Sequence, residues 1–181
     1  MAKDKFNFIS KLHLAASDDD MRPVMNCIHF IDGYAYVSNS YIVVKQNLEY
    51  SGVLDHDFLN GKSIHKDSFK EILGYQTATA TEDGIECVDK EGRKAFFDYQ
   101  DHGDKVPDFE NIFQQHSIKS TEVIGFHPDY LKTICDAMYG AKDFGVKVLF
   151  NGVSKGMLVQ VQEYEDQVAI LMPMAISESL F

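Results

Sequence analysis

The sequence predicts an α+β protein in which helices pack on one face of antiparallel meanders. Three observations point to it: short alternating apolar runs joined by tight glycine-containing turns, two amphipathic helical stretches, and a β-α-β-β-β order that occurs twice.

Phe6 to Ala16 alternate loosely and are expected as a strand, stopped by Asp18-Asp19-Asp20 and by Pro23, whose ring restricts the residue before it. Met25 to Ile31, a turn at Asp32-Gly33, Tyr34 to Ser38 and, after Asn39-Ser40, the β-branched run Tyr41 to Lys45 form a first meander. A loop rich in Asp, Gly and Asn, Ser51 to Lys62, leads to a helix over Lys66 to Leu73 with Phe69, Ile72 and Leu73 on one face and Gly74 behind it. Thr77 to Thr81, Ile85 to Asp89 and Lys94 to Tyr99 form a second meander, turning at Asp83-Gly84 and Glu91-Gly92. After a polar connection through Pro107-Asp108-Phe109 the same order returns with a strand at Thr121 to Phe126. Pro128 then opens a helix in which Tyr130, Leu131, Ile134, Cys135 and Met138 recur at helical spacing up to Gly140. Val146 to Phe150, Met157 to Gln162 and Val168 to Met172 are the closing strands, and the opening segment resembles a third copy whose helix is missing.

A chain of 181 residues, 45% of them hydrophobic, holds one ordinary domain or two small ones around a real core. Its formal net charge of −11 excludes a protein that coats nucleic acid with its whole surface, because that affinity comes from Lys and Arg neutralising phosphates. A local basic strip stays open. No run approaches the roughly 20 apolar residues of a membrane span, and no apolar stretch follows the lysines of Met1 to Phe8, so a cytoplasmic protein is expected. Cys27, Cys87 and Cys135 lie far apart in apolar patterns without CxxC spacing, as buried free thiols do.

Nothing local supports catalysis. His29 shares a strand face with Cys27 but has no orienting acid near it in the pattern, and His13, His56, His65, His102 and His116 form no HxxxH or HxH pair. Asp83, Asp89, Glu91, Asp101 and Asp104 fall in turns, and GxSxG, GxGxxG and P-loop patterns are absent. A binding protein is expected, not an enzyme, with no cofactor and no metal.

Val168-Ala169-Ile170-Leu171-Met172-Pro173-Met174 resembles the terminal strand of the bacterial DNA sliding clamp, the β subunit of DNA polymerase III, which runs into Met-Pro-Met. Phe126-His127-Pro128-Asp129-Tyr130-Leu131 is similar to that family's strand-to-helix entry into its last unit, and Val106-Pro107-Asp108-Phe109 to the connection closing its middle domain. Ser63-Ile64-His65-Lys66 through Ile72-Leu73 resembles the helix before it, and Met21-Arg22-Pro23-Val24-Met25-Asn26 with the meander to Val44 resembles the middle domain's opening. These matches occur in the family's order.

The resemblance implies a DNA-clamp-like fold with residues 1–118 as a middle-type domain lacking its first helix and 119–181 as the second half of a last domain. It implies a sliding-clamp-like replication or repair accessory protein of the processivity-factor type, taking short linear peptides of polymerases and other clients in an apolar groove. The implied lining is Ser38, Ser40, Tyr41 and Val43 from the first meander, Pro107 and Ile112 from the connection, and His127, Tyr130, Ile170, Leu171, Met172, Pro173 and Met174. A weak DNA-facing set is Lys66, Lys70 and Lys132, diluted by Asp67, Glu71 and Asp136; contact with duplex would require a homo-oligomer. Ser179-Leu180-Phe181 is similar to the end of clamp-binding peptides and is expected to dock in a groove. The alternative is a clamp-derived structural or regulatory module with no DNA contact. Ser40-Tyr41-Ile42-Val43 departs from the family's Gly-His-Arg-Leu, and Ala175 stands where the family carries Arg, so a different peptide motif is expected.

Overall fold

A computed structural model describes residues 11–102, 106–119 and 123–175. The first meander forms β1 (Cys27–Ile31), β2 (Tyr34–Ser38) and β3 (Ile42–Asn47). Asp32 at φ 49° and Gly33 at φ 80° make the β1–β2 turn, the paired left-handed conformation that lets two residues follow the twist of the strands. The Asp-rich loop contains β4 (Val53–Leu54) and a 3-10 turn (His56–Leu59), and leads through β5 (Ser63–His65) into α1 (Lys66–Ile72). The second meander is β6 (Thr77–Ala80), β7 (Gly84–Val88) and β8 (Lys94–Asp98). Then come α2 (Phe109–Gln114), α3 (Pro128–Ala137), α4 (Ala141–Phe144), β9 (Val146–Leu149), β10 (Met157–Val161) and β11 (Val168–Leu171). No helix among the described residues is long and apolar enough to cross a membrane.

Two sheets result. One has seven antiparallel strands in the order β5-β1-β2-β3-β11-β10-β9; the other has four in the order β4-β6-β7-β8, with β4 and β6 parallel. In the larger sheet β11 inserts beside β3, pairing Val43 with Ile170 and Ile42 with Leu171. That ladder joins a strand from residues 1–118 to one from residues 119–181.

Side-chain alternation then sorts two faces. Ile28, Phe30, Val37, Ile42, Val44, Ala169 and Leu171 join Phe69, Ile72 and Ile134 in the main core, where α1 lies against β1 and β5 and α3 against β3 and β11. Tyr36, Val43, Phe109 and Ile170 form a second, smaller cluster. It exists because α2, in a segment expected to be only a connection, crosses the opposite face of the sheet, its amino end capped by Asp108 accepting from the Asn111 amide at 3.1 Å.

Two expected strands are corrected. Within Phe6 to Ala16, residues 12–15 form a 3-10 turn whose Leu12 and Ala15 are buried between α1 and α3; that three-residue spacing is helical, and the loose alternation around it concealed the period. Residues 6–10 lie outside the described residues. Within Thr121 to Phe126, residues 121 and 122 lie outside them too, and Val123 to Phe126 make only an isolated bridge between Gly125 and Met174. Gly125 has no side chain to pack, Val123 and Phe126 stay exposed, and Ile124 alone leans on the main core, partly buried, too little to hold a strand in a sheet.

The thiols are free, with Cys27 and Cys87 buried and pushed up by burial to about 11 and about 12. Cys27 does not meet His29: its sulfur lies 3.1 Å from His102 Nε2. His29, 1% exposed, bonds Val24 O through Nε2 at 2.8 Å and Ser63 Oγ through Nδ1 at 2.7 Å. A carbonyl only accepts, so Nε2 carries the proton and Nδ1 accepts from the Ser63 hydroxyl. The ring stands 5.5 Å from Phe109, which stacks on Tyr36 at 5.3 Å and 7°.

Burial lowers the His29 pKa to about 4, whereas an unfolded histidine titrates near 6.5. Between those values the unfolded chain binds the extra proton, so His29's contribution is complete above about pH 6.5 and is lost on acidification towards 4, by at most about 1.4 kcal/mol per pH unit. Denaturant unfolding from pH 7 to pH 4.5 should show that slope, and His29→Gln should flatten it; an equally steep profile in the variant would contradict the assignment.

Candidate functional site

The turn from β2 to β3 builds one wall of a cleft. Ser38 Oγ donates to Ile42 O at 2.8 Å, Asn39 Oδ1 accepts from the Tyr41 and Ile42 amides at 3.1 Å each, and Ser40 takes φ 77°. This tight link turns Tyr41 outward, 55% exposed, onto Tyr130 of α3, the rings stacked at 5.1 Å and 11°. His127, whose Nδ1 accepts from the Asp129 amide and so caps α3, stands 5.2 Å from Tyr130. Tyr41 O accepts from the Met172 amide at 3.0 Å, carrying the β3–β11 contact one residue past the ladder.

Beside the β2–β3 turn lies a cavity of about 210 Å³. Ser38, Ser40, Tyr41 and Val43 line it from the first meander, Pro107 and Ile112 from the α2 segment, and Ile170 and Met172 from the last strand. Met25, Ile42 and Phe109 line it as well and are not among the residues expected from the sequence. Phe109 had a signal, since Asp108 is a favoured helix cap and the first residue behind it is held against whatever the helix packs on. A second cavity of about 300 Å³ shares Ile112, Ile170 and Met172 with the first and continues to Gln115, His116, Asn151, Ser154, Lys155 and Gly156. The result is one trough with an apolar end and a polar vestibule.

The remaining candidates are placed differently. His127 and Tyr130 reach the trough only through Tyr41. Leu171 is buried on the other side of the sheet, opposite Ile42 in the main core, because it alternates with Ile170. Pro173 and Met174 follow the strand and wall neither cavity; the Met174 amide donates to Gly125 O at 2.8 Å. Ser179, Leu180 and Phe181 lie outside the described residues. Among the lysines, Lys66 donates to Ser17 O at 2.7 Å and pairs with Asp18, and Lys132 pairs with Asp136 at 2.6 Å. Lys142 shares that carboxylate, and the two ammonium groups hold Asp136 down at about 2. Lys70 is exposed, with no ion pair among the described residues. No cluster of three or more His, Cys, Asp or Glu suited to a metal ion occurs among the described residues.

This fold is that of the bacterial DNA polymerase sliding clamps. The chain superposes on the Bacillus subtilis sliding clamp with a TM-score of 0.68 at 13% identity, covering 97% of this chain and 63% of that one. For the Pseudomonas aeruginosa clamp, solved with a ligand, the values are 0.65 and 12%, with 96% and 64% covered. For the Caulobacter crescentus clamp, solved with polyethylene glycol at a region assigned to β-motif tethering, they are 0.65 and 11%, with 96% and 63% covered. The chain therefore spans under two thirds of these clamps, and at such identities the likeness is one of fold. No family model matches the chain, and no curated protein matches it in sequence.

Gly156 sets the shape of the trough. A Cβ there would stand 2.6 Å from Ile170 Cγ2 and 3.3 Å from the Met172 sulfur. Gly156→Ala should overpack this corner and cost about 1–3 kcal/mol in denaturant unfolding; an unchanged midpoint would mean that Ile170 turns away freely.

Proposed function

We propose that the chain is a sliding-clamp-like accessory protein of DNA replication or repair, of the processivity-factor type, binding short linear peptides of client proteins in the trough. The observation that supports this reading is the convergence of three distant segments, around Tyr41, Pro107 and Ile170, on one apolar cavity. Its size suits one or two side chains of an extended segment rather than a bulky cofactor, and its thioethers adapt to varied ligands. The role is binding, without chemistry: His29 is engaged by Ser63 and Val24, and no cofactor is called for. Client proteins of replication imply work in the cytoplasm. In fluorescence polarisation, a labelled peptide ending in Ser-Leu-Phe should bind, and Met172→Glu, at an exposed site, should weaken it at least about tenfold with unfolding unchanged. Equal binding by the variant would count against the groove.

DNA enters this proposal only for an assembled homo-oligomer. A specific observation favours the second reading, a structural or regulatory module without DNA contact: Lys66 and Lys132 are spent on Asp18 and Asp136, so they release few counterions from a phosphate backbone. Sedimentation with and without primed DNA separates the two. A monomer at micromolar concentration that DNA leaves unchanged supports the module, whereas a larger species that shifts with DNA supports the clamp. The proposal includes docking of Ser179-Leu180-Phe181 in the chain's own or a neighbour's groove. Deleting Glu178 to Phe181 should then change the assembly state or raise peptide affinity, and no change in either removes the idea.

A further inference from the structure

We infer that Lys155 sets the specificity of the trough: the segment that enters it carries an acidic side chain within about three residues of its apolar anchor. The inference rests on the peptide-binding reading and adds the chemical class of the ligand.

The sign of the local charge is the first reason. The chain has a net charge of −11, yet among the described residues none lining either cavity is a carboxylate, and the vestibule presents Lys155. Lys45, Lys66, Lys132 and Lys142 each pair with a carboxylate, whereas Lys155 is exposed and forms no ion pair among the described residues. Glu110, on the helix that carries Ile112, is held by Lys45 at 2.5 Å.

The second reason is that the turn carrying Lys155 is anchored. The Lys119 amide donates to Phe150 O at 2.8 Å, His116 Nε2 bonds Leu149 O at 3.1 Å, and Ser117 Oγ donates to buried Asn151 Oδ1 at 3.0 Å. Gly156 then rests against Ile170 and Met172. The ammonium group is therefore carried at a defined edge of the trough. An extended segment advances about 3.3 Å per residue. With an apolar side chain in the first cavity, a residue one to three places away lies over the second, because the two share Ile112, Ile170 and Met172. A carboxylate there meets Lys155, with Gln115 and Ser154 beside it to donate hydrogen bonds.

The pair is rim-exposed, so its effect is modest and weakened by salt. The test uses the full chain and three labelled peptides, Ser-Glu-Ser-Leu-Phe and its Gln and Lys counterparts at the second position, in low-salt polarisation. The wild type should prefer the Glu peptide over the Gln peptide by about three- to tenfold, less at high salt. Lys155→Gln should remove that preference, and Lys155→Glu should invert it in favour of the Lys peptide. Equal binding of the Glu and Gln peptides by the wild type, or a preference unmoved in Lys155→Glu, overturns the inference and leaves peptide binding standing. Failure of all three peptides to bind overturns both.

Discussion

The pairing of β3 with β11 holds the molecule's two halves and its cleft together. Four residue pairs, from Lys45–Val168 to Ile42–Leu171, fix the register, and Asn47 Nδ2 donating to Asp166 Oδ2 at 2.8 Å pins its far end. Because successive residues face opposite sides, a slip of one place would send Ile170 into the main core and Leu171 into the trough. The hydrogen bonds from Met172 to Tyr41 and from Met174 to Gly125 then lead the chain along α3, where Tyr130 meets Tyr41. A cleft assembled from distant segments is thus a by-product of one ladder.

The opposite wall depends on a polar device. Lys45, on β3, lies 4.1 Å from the centre of the Tyr34 ring, with Tyr36 and Phe113 farther off, and ion-pairs with Glu110 of α2. Its side chain is only 14% exposed, so this cation has been largely withdrawn from water and is compensated by three aromatic faces and a carboxylate. Together with the Phe109–Tyr36 stack, these contacts tie α2 to the sheet. Such a preformed wall would lower the ordering cost of the binding proposed above.

How far the sequence disclosed this follows from which signals are local. Asp32-Gly33 announces its hairpin, and Pro128 with the apolar spacing behind it announces α3, because turn chemistry and helical period are written within a few residues. The Leu12–Ala15 turn was hidden because two buried residues three apart do not stand out from the loose alternation around them, and the stretch at Gly125 resembles a strand because its neighbours are apolar, although only Ile124 leans on the core. The trough was legible only in part. Val168 to Met172 is apolar on both faces, so its pattern has no parity, and only the partner strand decides that Ile170, not Leu171, faces the cavity. The vestibule was invisible, since Gln115, His116, Ser154 and Lys155 are ordinary surface residues until folding sets two loops side by side.

The distribution of cations joins these observations to function. On the helical layer Lys66 and Lys132 are matched by Asp18 and Asp136, and the surplus of acidic residues leaves little net attraction for phosphate. At the trough the balance differs, with Lys155 beside an apolar slot and no carboxylate among the described lining residues. Fields fall off within about 8–10 Å at physiological salt, so the global charge of −11 acts on approach, while Lys155 acts at contact. On the proposed reading, a surplus of acidic residues over the surface and a cation at a narrow apolar cleft would select a short acidic, apolar peptide over a strand of nucleic acid.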